Sequence, residues 1–304
     1  MATLTVFTPL YNRIDTLRRT YESMKAQTCK DFVWMIIDDG STDNPYEEIK
    51  KWIDADNGFE IVYIFKENGG MHTAHNTAYE NIDTELNVCI DSDDYMPKDA
   101  VEKIINCWNE NRDKGYAGII ALDYDSEKNK VIGKPLPDNK ESTTLIGYYN
   151  QGGFGDKKLI YRTDVIKSTP PYPVFEGEKY VSLAYKYHII DESYQLKILN
   201  ECVCYVDYQF DGSSANMYRQ YMRNPKGFAF WRKEQMKHSI NIKQKFKACI
   251  HYVSSSLISK NKHFIKESPC KVITFLSIPF GIALSILVKK KAKSSFMKVE
   301  GLNK

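Results

Sequence analysis

Four consecutive polar residues, Asp91-Ser92-Asp93-Asp94, bring three carboxylates together within four positions of the chain. The residues before them, 86–90, have the short length and the apolar content of a buried β-strand. Carboxylates this close repel one another, so the cluster indicates that a cation lies at the same place. A hard divalent ion with oxygen ligands is the natural candidate.

Other interpretations of this acidic cluster fit the sequence less well. A calcium-binding EF-hand loop requires glycine where Met96 stands and a bidentate glutamate several residues later. A phosphatase-type nucleophilic aspartate usually lies on the first strand of its domain, whereas this cluster lies far downstream. A solvated acidic turn remains as the alternative, and a second acidic loop in the chain weakens it.

That second acidic loop also follows an apolar segment. Residues 33–37 predict a buried strand, and Asp38-Asp39-Gly40-Ser41-Thr42-Asp43 comes directly after it. If both strands are parallel members of one sheet, their acidic ends meet at the same edge, where ligands of α/β proteins bind. Such an edge suits a nucleotide diphosphate and its metal ion.

The elements that would position these loops alternate regularly between strands and helices. This alternation predicts βαβ units and a largely parallel sheet. Residues 125–173, rich in turn residues and aromatics, are expected to form loops over the ligand-binding edge that shape an acceptor pocket. The predicted strands are 4–8, 33–37, 61–65, 86–90 and 119–123, and the predicted helices are 14–27, 45–55, 73–80 and 100–111.

Composition limits the compartment and the size of the domain. The chain has 304 residues, of which 42% are hydrophobic, enough for one large domain with an extension. The seven cysteines show no CxxC spacing, and no secretory signal is recognised at Met1, where residues 4–8 predict a first strand. Reduced thiols and a cytoplasmic location are therefore expected.

The formal net charge of +3 conceals an uneven distribution. Residues 217–304 contain 19 of the 42 lysines and arginines but only three acidic residues, a net charge of +16. The boundary between an acidic domain, 1–216, and a basic helical extension, 217–304, is placed here. A cationic extension favours an anionic membrane surface as partner.

Within the extension, residues 272–288 form a 17-residue stretch without a charged side chain. A helix that spans a bilayer needs about 20 apolar residues, and Pro279 and Gly281 interrupt this stretch. A monotopic helix held by apolar burial and by the flanking lysines is therefore preferred to a spanning one. A buried helix hairpin that packs on the rest of the protein is the alternative.

Eight short segments, in fixed order within residues 3–227, also carry a family resemblance. They are Thr8-Pro9-Leu10-Tyr11-Asn12-Arg13, Gln27-Thr28, Ile37-Asp38-Asp39-Gly40-Ser41-Thr42-Asp43, Asn68-Gly69-Gly70, Ala74-His75-Asn76, Asp91-Ser92-Asp93-Asp94, Phe175-Glu176-Gly177-Glu178-Lys179-Tyr180 and Asp211-Gly212-Ser213-Ser214. As an ordered set they resemble the family 2 glycosyltransferases of the GT-A fold, most of all bacterial enzymes that build capsular and other surface polysaccharides. The resemblance implies an α/β GT-A catalytic domain with a mostly parallel central sheet.

The same resemblance implies a binding site for the nucleotide-sugar donor. Asp38 would accept a hydrogen bond from the imide N–H of uracil, which favours a UDP-sugar over other nucleotide sugars. A capping role in the tight turn with Gly40 suits Asp39 or Asp43 better. The residues expected to bind the donor are Thr8, Pro9, Tyr11, Asp38, Asp39, Asn68, Gly69, Gly70, Asn76, Asp91, Ser92, Asp93 and Asp94.

Asp91-Ser92-Asp93 matches the family's DxD element. By resemblance, Asp93 would ligate Mn²⁺ or Mg²⁺ that bridges the diphosphate, and Asp91 would bond the ribose or a water on the metal. Asp94 would contact the sugar or support the metal ligands. The metal would stabilise the negative charge that grows on the departing diphosphate.

An inverting transfer also needs a general base for the acceptor hydroxyl. Family members commonly carry Glu-Asp late in the catalytic domain, and the corresponding segment here is Glu176-Gly177-Glu178, so the aspartate is replaced. Glu178 is expected to be the base and Glu176 is the second candidate. The alternative for Glu178 is an ordinary acidic residue at a helix N-terminus.

The sequence therefore predicts an inverting, metal-dependent glycosyltransferase. The expected acceptor is a glycan, carried on a lipid at the inner face of the cell membrane, and no nucleic acid partner is expected. A non-catalytic nucleotide-sugar-binding scaffold subunit is the first alternative. A nucleotidyltransferase fits less well, because residues 8–18 contain no glycine for a triphosphate-binding loop.

Overall fold

The computed structural model describes residues 2–207, 217–238 and 241–302, with the backbone alone from residue 294 onward. The chain divides into two compact units. The first comprises Met1–Pro171 and Lys186–Gln209, and the second comprises Tyr172–Tyr185 and Phe210–Lys304. Residues 172–185 thus belong with the C-terminal helices, although they precede the boundary expected at 216/217. The Asp211-Gly212-Ser213-Ser214 motif lies outside the described residues.

One nine-stranded sheet forms the centre of the first unit, in the order β3-β2-β1-β4-β8-β5-β9-β7, with β6 paired to β5. β1 runs parallel to β2 and β4, β2 is parallel to β3, and β5 is parallel to β9. The strands are β1 Leu4–Leu10, β2 Phe32–Asp38, β3 Glu60–Phe65, β4 Leu86–Cys89, β5 Gly118–Asp125, β6 Lys130–Val131, β7 Ser142–Thr143, β8 Lys157–Arg162 and β9 Leu196–Val206.

Helices follow the strands in the alternation that the sequence predicts through residue 123. They are α1 Ile14–Lys25, α2 Tyr46–Ile53, α3 Met71–Asn81, α4 Ala100–Asn109, α5 Leu145–Asn150, α6 Thr163–Ser168 and α7 Ala184–Asp191. β1, β2 and β4 are apolar along almost their whole length because a sheet with covered faces buries both sides of each strand.

Residues 125–173, expected to form loops, contain a central strand. β8 lies between β4 and β5 and is antiparallel to both. The segment KKLIYR has lysines at its start, and their charge obscures its strand character in the sequence. β8 completes the sheet beside the acidic end of β4.

Aromatic stacking anchors the core around β2. Trp34 is fully buried, and its indole N–H donates to the Thr8 hydroxyl at 3.0 Å. The Tyr21 ring stacks on Trp52 with centroids 4.4 Å apart, and Trp34 lies 6.0 Å from Trp52. These contacts fix α1 and α2 against β2, whose C-terminal end carries Asp38.

The second unit is helical and rich in lysine, as the sequence predicts for its C-terminal part. Its core is formed by Ala229, Met236, Ala248, Cys249 and Tyr252. Among the described residues, no helix has the combined length and apolar character to cross a bilayer. The helices are α8 Met217–Arg223, α9 Pro225–His238, α10 Ile242–Ile258, α11 Phe264–Glu267, α12 Lys271–Leu276 and α13 Ile278–Leu302.

The close approach of β5 to β8 gives a test of this topology at Gly118. Its φ is +147°, and a Cβ there would lie 2.0 Å from the Ile160 carbonyl oxygen of β8. We expect Gly118→Ala to destabilise the fold by about 2 kcal/mol, because the backbone of β8 must move. Thermal unfolding measures the effect.

Gly115→Ala is the matched control. Gly115 also has a positive φ, +73°, but a Cβ there meets nothing within 4 Å. It should cost on the order of 1 kcal/mol, the backbone strain alone. Equal melting temperatures for the two variants would contradict the pairing of β5 with β8.

Candidate active site

The acidic turn that follows β4 is held in place by α1. Asp94 N–H donates to the Asp91 carbonyl at 3.0 Å, which closes the turn. From α1, the Thr20 hydroxyl donates to the Asp94 carbonyl at 2.7 Å, and the Arg19 guanidinium donates to the Asp93 carbonyl at 2.6 Å. Side chains of α1 therefore fix the backbone of the turn, and the carboxylates are left to act on other groups.

Burial and neighbouring negative charge raise the pKa of two carboxylates in this turn, Asp93 and Asp94. Burial, reinforced by the charge of Asp91, raises the pKa of Asp93. Burial also raises the pKa of Asp94 to about 8, with the charges of Asp91 and Asp93 adding to the effect. Asp94 is buried, and its Oδ1 accepts a hydrogen bond from the Asp207 backbone N–H at 3.1 Å. The sequence prediction that these acids need a cation is consistent with this electrostatic crowding.

Lys158 of β8 supplies part of the positive charge that balances these acids. Its ammonium nitrogen lies 3.6 Å from Oδ1 of buried Asp123, and its side chain is only 12% exposed. Burial by itself lowers the pKa of Lys158, but the negative charges of Asp123, Asp94 and Asp91 outweigh it and raise the pKa well above its usual value. Lys158 was not predicted as a site residue, and its signal in the sequence is a lysine within an otherwise strand-like segment.

Two carboxylates of the turn are suited to a divalent metal. Asp91 and Asp93 are half-buried. Within the described ranges, no group of three or more His, Cys, Asp or Glu side chains is placed to hold an ion. Mg²⁺ commonly uses one or two carboxylates and completes its shell with substrate phosphates and water, and Mn²⁺ prefers the same oxygen ligands. The donor set therefore fits a metal that binds together with a diphosphate.

Asp38 lies at the C-terminal end of β2, as predicted, and is almost fully buried. Its Oδ1 accepts the Ser41 backbone N–H at 2.8 Å, and its Oδ2 accepts the Tyr63 hydroxyl at 2.5 Å. Burial and the bond to Asp38 raise the pKa of Tyr63 far above its usual value. Asp38 is thus rigidly oriented, by a tyrosine on β3 that the sequence analysis did not single out.

Aromatic rings accompany this carboxylate. The Tyr46 ring lies 5.3 Å from the Tyr63 ring, and Tyr46 and Tyr11 are each 48% exposed. Thr8 and Pro9 are buried in β1, so their side chains belong to the core. Of the predicted residues at the end of β1, Tyr11 is the one whose side chain is presented to solvent.

Asp39 fixes the glycine loop in front of α3. Its Oδ1 accepts the Gly69 N–H at 2.9 Å, and its Oδ2 accepts the Gly70 N–H at 2.7 Å. The Lys66 ammonium lies 2.5 Å from Oδ1, and the Asn68 amide donates to the Asp39 carbonyl at 2.6 Å. Asp39 thus ties the glycine loop to the end of β2, whereas the side-chain bond within the tight turn is made by Asp38, which accepts the Ser41 N–H.

The histidines of α3 are embedded in the protein. Burial lowers the pKa of His72 to about 4 and of His75 to about 3, so both are neutral at neutral pH. The His75 ring packs edge-on against Phe7 of β1 at 4.9 Å. Asn76, on the same helix, is half-buried. α3 is therefore fixed against β1, and it carries Asn76 nearly two turns beyond the glycine loop.

Glu178, expected to be the general base, lies in the second unit at the N-terminus of α9. Its Oε1 accepts the Lys226 N–H at 2.9 Å, and its Oε2 accepts the Gly227 N–H at 2.8 Å. The adjacent Lys179 N–H donates to Asn224 Oδ1 at 2.8 Å. Glu178 is buried whereas Glu176 is exposed. Both oxygens of Glu178 thus cap a helix, although that helix lies 50 residues downstream.

Comparisons with known proteins find similarity to glycosyltransferases. The family model described as glycosyl transferase family 2 matches residues 5–169. Glycosyltransferase GlyA of Streptococcus pneumoniae is 36% identical over 101 residues, which are 33% of this chain and 14% of that protein. Chondroitin synthase of Pasteurella multocida is 28% identical over 156 residues, 51% of this chain and 14% of that protein. The chain thus spans only a small part of the curated relatives it matches.

Solved structures share the fold across almost the whole chain. Residues 1–349 of S. aureus TarS in complex with UDP-GlcNAc give a TM-score of 0.59 at 15% identity, covering 97% of this chain and 92% of that one. Mannosyltransferase PcManGT of Pyrobaculum calidifontis, in complex with GDP-Man and Mn²⁺, gives 0.51 at 14% identity, covering 99% and 80%. These likenesses confirm the predicted GT-A fold.

The buried cation Lys158 leads to a test of what holds the acidic turn together. We expect Lys158→Met to destabilise the protein by about 3 kcal/mol or more, because Asp123 keeps its charge without a buried partner. Asp123→Asn in the same chain should restore part of the loss, and denaturant unfolding of the single and double variants measures the coupling.

An exposed lysine–aspartate pair supplies the control. Lys128 and Asp125 are 2.7 Å apart, with the lysine side chain 70% exposed, so Lys128→Met should change stability little. Wild-type stability of the Lys158→Met variant would show that the lysine is not the counter-ion of this cluster.

Proposed function

The chain belongs to glycosyl transferase family 2, and we propose that it is an inverting, metal-dependent glycosyltransferase that moves a sugar from a UDP-sugar to a glycan. The observation that carries this proposal is the acidic turn Asp91-Ser92-Asp93-Asp94, which follows a strand paired in parallel with the strand that leads to Tyr11. The strand that ends at Asp38 pairs with that same strand on its other side. A nucleotide base and its diphosphate therefore have candidate contacts at one edge of the sheet.

The nucleotide would be held by the ends of β1 and β2. Asp38 is oriented by Ser41 and Tyr63, and each carboxylate oxygen retains a lone pair for the imide N–H of uracil. The exposed ring of Tyr11 offers a surface for the base. TarS is known in complex with UDP and with UDP-GlcNAc, which supports uridine as the nucleoside of the donor.

The diphosphate would lie by the half-buried Asp91 and Asp93. A bound Mn²⁺ or Mg²⁺ would supply Lewis-acid stabilisation of the diphosphate as the glycosidic bond breaks. The chain orients Asp91 and Asp93 through the bonds of Arg19 and Thr20 to the backbone of the turn. Lys158 offsets part of the negative charge that the turn presents to an anionic donor.

The acceptor hydroxyl attacks the anomeric carbon from the face opposite the diphosphate, and its proton passes to a carboxylate. Sequence reasoning ranked Glu178 first for this base, but both of its oxygens bind backbone N–H groups of α9. Both oxygens are therefore occupied in holding the first turn of α9, whereas the Glu176 side chain is exposed. We therefore assign proton transfer to the exposed Glu176 and a positioning role to Glu178.

The acceptor is a growing cell-surface glycan carried on a membrane lipid at the cytoplasmic face. Matches to bacterial glycosyltransferases, among them a chondroitin synthase, support a polysaccharide product. The basic C-terminal unit supports action at an anionic surface. Confinement of enzyme and acceptor to that surface raises the effective concentration of acceptor ends.

The metal site is tested by calorimetric binding of UDP-, GDP- and dTDP-sugars with and without Mn²⁺. We expect UDP-sugars to bind in a Mn²⁺-dependent way. Asp93→Ala should abolish this dependence and lower turnover by about 100-fold or more, because a group that stabilises the leaving diphosphate is lost.

Asp15→Ala is the control for the change in charge, since the Asp15 side chain is 88% exposed on α1. It should leave donor binding unchanged. If no nucleotide sugar binds to folded wild-type protein, the proposed function is wrong, and donor binding without turnover would favour the scaffold interpretation.

The two glutamates are separated by paired substitutions. We expect Glu176→Gln to lower kcat by about 100-fold or more while leaving donor affinity and melting temperature unchanged. Glu178→Gln should instead lower the melting temperature, because the amide NH₂ then faces an N–H of α9. Loss of kcat at wild-type melting temperature in Glu178→Gln would return the base role to Glu178.

A further inference from the structure

α12 and α13 bury their small and hydroxyl-bearing side chains. Thr274 and Ser277 have no exposed surface, Ser285 is 5% exposed, and Gly281 is buried. These positions recur every three or four residues, which places them on one side of the helices. The buried side of α12 and α13 is therefore less apolar than their exposed side.

The opposite side of these two helices is apolar and exposed. Phe275 and Ile286 are each 61% exposed, Leu276 is 60% exposed, and Val272 is 74% exposed. A helix on the surface of a water-soluble protein shows the reverse arrangement. We call this surface the α12–α13 apolar face, and it comprises Val272, Phe275, Leu276, Phe280, Ile282, Ile286 and Leu287.

The buried side packs in the way that helices pack within lipid. A Cβ on Gly281 would lie 2.4 Å from a side-chain carbon of Val253, so α13 approaches α10 closely. The buried hydroxyls are satisfied locally, with Ser277 donating to the Ile273 carbonyl at 2.7 Å and Ser285 to the Ile282 carbonyl at 2.8 Å. Ser277, Gly281 and Ser285 follow the small-xxx-small spacing of membrane helix interfaces.

We propose that the α12–α13 apolar face is a membrane-docking surface that enters the interfacial layer of an anionic bilayer, with the helices lying along the membrane. This deepens the proposed function by naming the surface that brings the enzyme to a lipid-linked acceptor. Membrane binding and sugar transfer can nevertheless be measured separately. Interfacial helices combine an apolar face with lysines that bind anionic headgroups.

The positive charge around the α12–α13 apolar face favours an anionic bilayer over a second copy of the chain as its partner. Exposed lysines border the face at both ends, Lys271 at the start of α12 and Lys289, Lys290 and Lys291 after the apolar stretch. Residues 217–304 carry 19 basic and three acidic residues, so two such surfaces repel each other. An anionic membrane instead attracts each lysine near its surface.

The experiment is flotation of the full chain with vesicles of phosphatidylcholine alone and of phosphatidylcholine mixed with phosphatidylglycerol. We expect wild-type protein to float with the mixed vesicles, and less with the neutral ones. Phe275→Ser combined with Ile286→Ser should weaken binding by about tenfold or more, because two large apolar side chains no longer enter the lipid. Both positions are exposed, so the variant should keep its melting temperature.

Ile53→Ser is the matched control, because Ile53 is a 40% exposed aliphatic side chain on α2 of the first unit. It should float like the wild type. Lys289→Glu combined with Lys290→Glu should reduce binding to the mixed vesicles and leave the weaker binding to neutral vesicles. Wild-type flotation of the Phe275/Ile286 variant would overturn the proposal.

Self-association is the competing outcome. Wild-type protein that does not float, but forms a dimer that the Phe275/Ile286 substitutions dissociate, would overturn the proposal in favour of a protein interface. Calorimetric donor binding on the same samples separates the two claims. Flotation without donor binding contradicts the proposed function alone, and donor binding without flotation contradicts the docking surface alone.

Discussion

The charge balance of the acidic turn after β4 depends on Lys158, a cation 12% exposed that pairs with Asp123 and whose pKa the charges of Asp123, Asp94 and Asp91 raise. Without it, three carboxylates would meet in a partly dehydrated place, and their mutual repulsion would have to be relieved by protonation or by opening of the turn. The antiparallel strand β8 exists at this point of the sheet between two parallel sets and delivers that lysine. The place of β8 in the sheet therefore also sets the charge balance of the acidic site.

The acidic residues of the predicted site divide into those that organise the chain and those that remain for a ligand. Asp38 is bound by Ser41 and Tyr63, Asp39 by Lys66 and the glycine loop, and Glu178 by the first turn of α9. Asp91 and Asp93 stay half-buried in a turn that is fixed through its backbone. A carboxylate that accepts several N–H bonds orients a loop, whereas one in a turn fixed through its backbone can accommodate a metal and a diphosphate.

Much of the fold was predictable from local pattern, and the exceptions have identifiable causes. The strands of residues 4–90 follow from short apolar segments that precede polar turns, and the acidic ends of β2 and β4 follow from the same pattern. β8 was missed because it begins with two lysines, and the carboxylate that pairs with Lys158, Asp123, lies on a different strand. The contacts of Glu178 were likewise not predictable, since its partners lie at Lys226 and Gly227, and no spacing along the chain reveals an N-terminal cap made by a distant segment.

The C-terminal helices show that hydrophobic periodicity alone does not predict which face of a helix is buried. The sequence of α12 and α13 contains one small, polar stripe and one large, apolar stripe, and in a water-soluble protein the apolar stripe would be assigned to the core. The structure buries the stripe of Thr274, Ser277 and Gly281 instead, because only small side chains allow the contact of α13 with Val253 of α10. The apolar stripe is then left outward between Lys271 and the exposed lysines at 289–291. An outward apolar face is unfavourable in water and favourable at a lipid interface, so the packing of α13 on α10 carries the argument for membrane docking.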